Sequence, residues 1–184
     1  TGLAAMQWMD RLFPVLDEWD EANPDVRARL VACEVNTNGT EEDSFYASTP
    51  PLEAKKILFM KYANAPVVDD EKMRLSFIDI KKAYFNGIPE RAIYMMVPKE
   101  LGLAPGRVAK QVRCVYGTRD AGMIWEETYR KCLEDMGFIS GLASPCCFRH
   151  PLWNVELVVH GDDFTTAGGK SDLDWFKQRS QEKC

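Results

Sequence analysis

Ser76-Phe77-Ile78-Asp79-Ile80-Lys81-Lys82-Ala83-Tyr84-Phe85-Asn86-Gly87 opens as an apolar run and closes as a turn. Leu75 to Ile80 reads as a buried strand broken by one acid, Asp79. A carboxylate inside an apolar strand is costly unless it is paired or metal-bound. A second acidic feature lies downstream, where Asp162-Asp163 follow the apolar stretch Val155 to His160 with Gly161 before them. Two adjacent carboxylates in a tight turn repel each other. A divalent cation removes both difficulties, since magnesium takes carboxylate, carbonyl and water oxygens. If the two strands lie side by side, Asp79 meets Asp162 and Asp163. Three carboxylates at one spot can hold two ions about 3.5–4 Å apart, the arrangement that serves in-line phosphoryl displacement.

Outward from these stretches, the spacing predicts alternating elements. Arg27 to Val35 alternates over part of its length and predicts a strand. Thr49-Pro50-Pro51 opens a helix from about Leu52 to Ala63, with Leu52, Lys56, Phe59 and Ala63 on one face. Ile93 to Val97 and Val108 to Val115 predict strands. Residues 119 to 136 carry the clearest helical period, through Ala121, Ile124, Trp125, Thr128, Tyr129, Cys132, Leu133 and Met136, and Gly137 stops it. Trp125 and Tyr129 read as core. Cys146 to Arg149 and Val155 to Val159 flank Pro151-Leu152-Trp153-Asn154 as a hairpin. Phe164 to Ala167 resumes as a strand, and a last helix runs from Ser171, as N-cap, to about Gln181. The order favours α+β, with helices on one face of a mainly antiparallel sheet.

Composition narrows the function. The chain has 184 residues, 46% apolar and 28% charged, with net charge −5, an ordinary globular balance. Residues 1–75 are acidic, 81–131 carry 10 Lys/Arg against 5 Asp/Glu, and 132–184 are acidic again. A basic middle is compatible with a polyanion on one face, but on charge alone a solvated surface is the better reading. Apolar runs such as Ile57 to Met60 fall far short of the ~20 residues a membrane-crossing helix needs. Asp10, Arg11, Asp17 and Glu18 interrupt any leader peptide, and the start at Thr1 reads as a fragment of something longer, or as the result of processing. Six cysteines lack zinc spacing and read as reduced intracellular thiols.

With the residues after Asp79 the motifs become specific. FIDIKKAYFNG (77–87) resembles the first catalytic motif of reverse transcriptases, in particular the D-V-K-x-A-F-L-N-G of copia-type retrotransposons. Ile93-Tyr94-Met95 with Pro98 is similar to the I-Y-M-x-x-P that follows there. Tyr116-Gly117-Thr118-Arg119-Asp120-Ala121 with Trp125 resembles Y-G-L-K-Q-A and its helix, and Gly137-Phe138 and Cys146-x-Phe148 match G-F and C-x-F. His160-Gly161-Asp162-Asp163 stands where the family has aromatic-x-D-D, and Arg27 to Ala32 resembles the K-A-R-L-V-A of the fingers. The resemblance covers roughly residues 25 to 184 in family order. His160, Gly161 and Asp120 depart from the family's usual residues.

The resemblance implies a polymerase palm with an antiparallel sheet packed on helices and partial fingers over 25–184, after an N-terminal extension at 1–24. Thumb and ribonuclease H would follow beyond residue 184. It implies an RNA-directed DNA polymerase with two Mg2+ (or Mn2+) ions on Asp79, Asp162 and Asp163 as catalytic and metal-binding residues. Ile80, Tyr84, Tyr116, Gly117, Arg27 and Arg29 would bind the incoming nucleotide, with Tyr84 excluding a 2′-hydroxyl. His160, Gly161, Lys81 and Lys82 would contact nucleic acid. The partners would be an RNA or DNA template with its primer, deoxynucleoside triphosphates and the rest of a Pol polyprotein, with no membrane. The location would be intracellular, in a cytoplasmic particle or the nucleus. Two rivals stand beside it: a decayed or domesticated retroelement remnant that binds nucleic acid without catalysis, and another palm-type nucleotidyl transferase or cyclase.

Overall fold

The computed structural model describes residues 31–34, 45–67, 72–97, 102, 104 and 106–183. Its elements are α1 (Leu52–Asn64), β1 (Arg74–Asp79), a 3-10 turn (Ala83–Asn86), β2 (Tyr94–Met96), β3 (Val108–Lys110), α2 (Ala121–Asp135), β4 (Ile139–Ser140), β5 (Cys147–Arg149), β6 (Val155–His160), β7 (Asp163–Gly168) and α3 (Lys170–Lys183). The fold is α+β. Five antiparallel strands lie in the order β1-β7-β6-β5-β4, and β2 and β3 pair separately.

Local chemistry sets the two hairpins at the centre. Between β5 and β6, the His150 ring closes the connection: its Nδ1 accepts the N–H groups of Leu152 and Trp153 at 3.1 and 3.0 Å. Between β6 and β7 only Gly161 and Asp162 intervene, because His160 already faces Asp163. Gly161 has φ +64°. A positive φ at the first central position suits a two-residue hairpin, whose backbone must follow the right-handed twist of the strands. β1 returns antiparallel along β7 and forms the sheet edge.

Alternation along the strands splits the core between two faces. Val155, Leu157, Val159 and Phe164 meet Trp125, Tyr129 and Leu133 of α2 and Leu173 and Phe176 of α3. Leu133 and Phe176 are each 1% exposed. Side chains so enclosed are worth about 1.5–3 kcal/mol each against exposure. On the opposite face, Val158, Ala167 and Leu75 pack on Leu58 and Ala54 of α1. Helix α2 ends as its glycine predicts. Gly137 has φ +95°, its N–H reaches the Glu134 carbonyl at 2.8 Å, and the Phe138 N–H reaches that of Leu133 at 3.0 Å. Together these bonds take up two carbonyls of the last turn.

Several expectations need correction. Helices cover both faces of the sheet, not one. β1 is not buried: as an edge strand it leaves Phe77 68% exposed. In α1 the inward residue is Leu58, while Leu52, Ile57, Phe59 and Met60 are exposed. The four consecutive apolar residues Ile57 to Met60 go all round the helix, so periodicity could not choose a face. Residues 31–34 form no strand, and the remainder of the stretch 27–35 lies outside the described residues. The strand expected over 108–115 stops at Lys110. Ser171 is inside α3, which begins at Lys170. Among the cysteines, Cys33, Cys114, Cys146 and Cys147 are free thiols, but Cys132 is disulfide-bonded. Burial pushes the Cys114 thiol up to about 11. Among the described residues no helix is long and apolar enough to cross a membrane.

Candidate metal centre

The sheet brings the two acidic stretches together. Asp79 ends β1 and is the register partner of Asp163, which begins β7. His160, the last residue of β6, is the partner of Asp163 on its other side. Partners in antiparallel register share a face. Asp79, Asp163 and His160 therefore form a row across one end of the sheet, with Asp162 in the adjoining turn. One carboxylate oxygen from each of Asp79, Asp162 and Asp163 lies within 4.8 Å of the others. None of the three residues is buried. Among the described residues no lysine or arginine forms an ion pair with them.

Main-chain and indole donors hold the turn. The Ile80 N–H donates to the Asp162 carbonyl at 3.0 Å, and the Trp125 Nε1–H donates to the Gly161 carbonyl at 2.8 Å. The Ile80 side chain packs against the main core. Trp125 and Tyr129 are each 4% exposed, as expected of core residues. Burial also pushes the Tyr129 hydroxyl well above its ordinary range.

The other predicted residues divide. Tyr84 is partly buried against the core, and its ring stands edge-on to Tyr116 with centroids 4.5 Å apart. Phe85 meets the same Tyr116 ring at 5.9 Å. Ala83 is fully buried. Gly117 has φ +92°, and a Cβ there would lie 1.9 Å from the Ala32 carbonyl oxygen. The Ala32 N–H also donates to the Tyr116 carbonyl at 2.7 Å, so Ala32 sits directly on the Tyr116-Gly117 turn. Lys81 is exposed, and Lys82 is in the left-handed region with φ +57°. His160 and Gly161 are exposed. Arg27 and Arg29 lie outside the described residues.

One constellation escaped the sequence. Arg91 donates from Nε to Asp120 Oδ2 at 2.7 Å, and from Nη1 and Nη2 to the two Glu34 oxygens at 2.6 and 2.7 Å. Arg91 and Arg119 also lie over the Phe45 ring, at 5.2 and 5.1 Å. The Arg91 guanidinium, against some opposing desolvation, holds the Glu34 carboxyl at about 2. The only signal in the sequence was Asp120, standing where the resembled motif has a neutral Gln.

No family model matches the chain, and no solved structure matches it. The donor set itself fits a hard divalent cation: three carboxylates, exposed and uncompensated by cations among the described residues, converge from two paired strands and the turn beside them. Such a cluster can gather positive charge at a fixed point in front of the sheet.

Proposed function

We propose that this chain is the fingers-palm portion of a copia-type reverse transcriptase, extending a primer 3′-end with deoxynucleotides on an RNA or DNA template. The observation that carries the reading is the register of Asp79 against Asp163, with Asp162 in the turn between β6 and β7. These are the three acids that the resemblance singles out, from two distant stretches of sequence.

Asp79, Asp162 and Asp163 would hold two Mg2+ or Mn2+ ions. Bound there, such ions would supply a lowered pKa for an attacking hydroxyl and charge compensation for a leaving pyrophosphate. The chain's own contribution is placement. In the turn, the Gly161 carbonyl accepts the Trp125 indole N–H and the Asp162 carbonyl accepts the Ile80 N–H. Tyr84, braced by Tyr116, would lie under the incoming sugar and meet a 2′-hydroxyl by overlap. Tyr116 and Gly117 would form the floor beneath the incoming base, with Ile80 beside the nucleotide. Arg27 and Arg29 would reach its triphosphate. Lys81, Lys82, His160 and Gly161 would contact template and primer. The remainder of a Pol polyprotein would supply the thumb.

The test is extension of a DNA primer on an RNA template by the full-length protein. Product should require the template and a divalent ion. Nucleic-acid binding without synthesis would favour a retroelement remnant, and template-independent product another palm-type transferase or cyclase.

A further inference from the structure

The turn that carries Asp162 and Asp163 is fixed from behind by one side chain. Gly161 has no side chain to anchor it, and the space a Cβ would occupy is open for 4 Å around. Its carbonyl instead accepts the Trp125 indole N–H at 2.8 Å. The next carbonyl, of Asp162, is taken by the Ile80 N–H at 3.0 Å. One bond thus comes from the strand that bears Asp79, and the other from helix α2. The indole is packed among other rings. It stands edge-on to Tyr129 at 5.6 Å, and Tyr129 is wedged against Phe148 at 6.2 Å and Phe164 at 5.8 Å. Phe164 is the residue after Asp163. A buried indole N–H also needs an acceptor, which gives the contact a fixed direction.

We propose that Trp125 is a positioning residue for the acidic pair: its N–H sets the turn so that the Asp162 and Asp163 carboxylates stay within reach of Asp79. Its consequence for metal binding rests on the reading of the cluster as a divalent site. The geometry does not. Groups behind a metal's ligands orient them, and losing one commonly weakens metal binding 10–100-fold.

Trp125→Phe keeps a ring in the core and removes the donor. Two measurements on the same protein decide the matter: hydrogen exchange of the 161–163 amides without divalent ions, and titration with Mn2+ alone. The expected result is faster exchange confined to the turn and Mn2+ affinity about tenfold weaker. Leu133→Ala, in the same helix without a bond to the turn, should lower stability and leave Mn2+ affinity unchanged. Unchanged exchange at 161–163 in Trp125→Phe overturns the proposal, as does an equal loss of Mn2+ affinity in Leu133→Ala. If the unaltered protein takes up no Mn2+, the metal reading of the cluster falls, while the exchange data still decide whether Trp125 positions the turn.

Discussion

Arg91→Met removes the centre of the ion-pair group beside α2. Asp120 is only 2% exposed, and Arg91 reaches it with Nε and Nη2 at 2.7 and 3.2 Å. Methionine fills a similar volume but leaves that carboxylate buried without its partner. Stranding a buried charge costs about 3–5 kcal/mol. Part of this loss lies at Glu34 and can be read through pH. A carboxyl held at about 2 in place of 4.5 stabilises the fold by at most about 3 kcal/mol through proton linkage. With Glu34 24% and Arg91 36% exposed, solvent screening reduces this to about 2 kcal/mol. The folded value is depressed, so this stabilisation is complete above pH 4.5 and is lost as pH falls through about 2. Urea unfolding followed by circular dichroism at pH 7 and at pH 2.5 measures both effects. The variant should be about 3–5 kcal/mol less stable at pH 7, and the gap to the unaltered protein should narrow at pH 2.5. A gap under about 1 kcal/mol at pH 7, or one that does not change with pH, would refute the reasoning.

Tyr84→Val in the full-length protein should admit ribonucleotides while leaving deoxynucleotide insertion largely intact, read as the ratio of kcat/KM for the two sugars. If both rates fall together, Tyr84 serves only to pack against Tyr116. Gly117→Ala should cost more than about 2 kcal/mol in chemical denaturation, because a positive φ and a backbone oxygen 1.9 Å from the new Cβ act together. The Gln111 amide is buried, and among the described residues neither of its polar atoms has a hydrogen-bond partner. Gln111→Met should therefore leave Tm unchanged or raise it.

How far the sequence spoke depended on whether the decisive contacts were local. Helix α2 and the β5-β6-β7 meander were legible because their periods and turn residues lie within each stretch, and Gly137 and Gly161 mark real changes of backbone hand. The meeting of Asp79 with Asp162 and Asp163 was legible by inference, since strands of that kind must pair with something. The exposure of β1 was not. Leu75 and Phe77 share a face, but α1 covers Leu75 and leaves Phe77 largely in solvent, a matter of where one helix crosses the sheet. The Arg91 group was illegible for the same reason. Glu34, Phe45, Arg91 and Asp120 come from separate stretches, and no spacing rule joins them. Asp120, which departs from the resembled motif, is a buried member of an ion pair.

The most direct test of the central claim compares primer extension on an RNA template by the full-length protein and by its Asp79→Asn variant, with and without Mg2+. The account predicts DNA product only from the unaltered protein with Mg2+, since the variant loses charge at the point where the three carboxylates converge. Equal synthesis by the Asp79→Asn variant, or no divalent-dependent product from the unaltered protein, would contradict it.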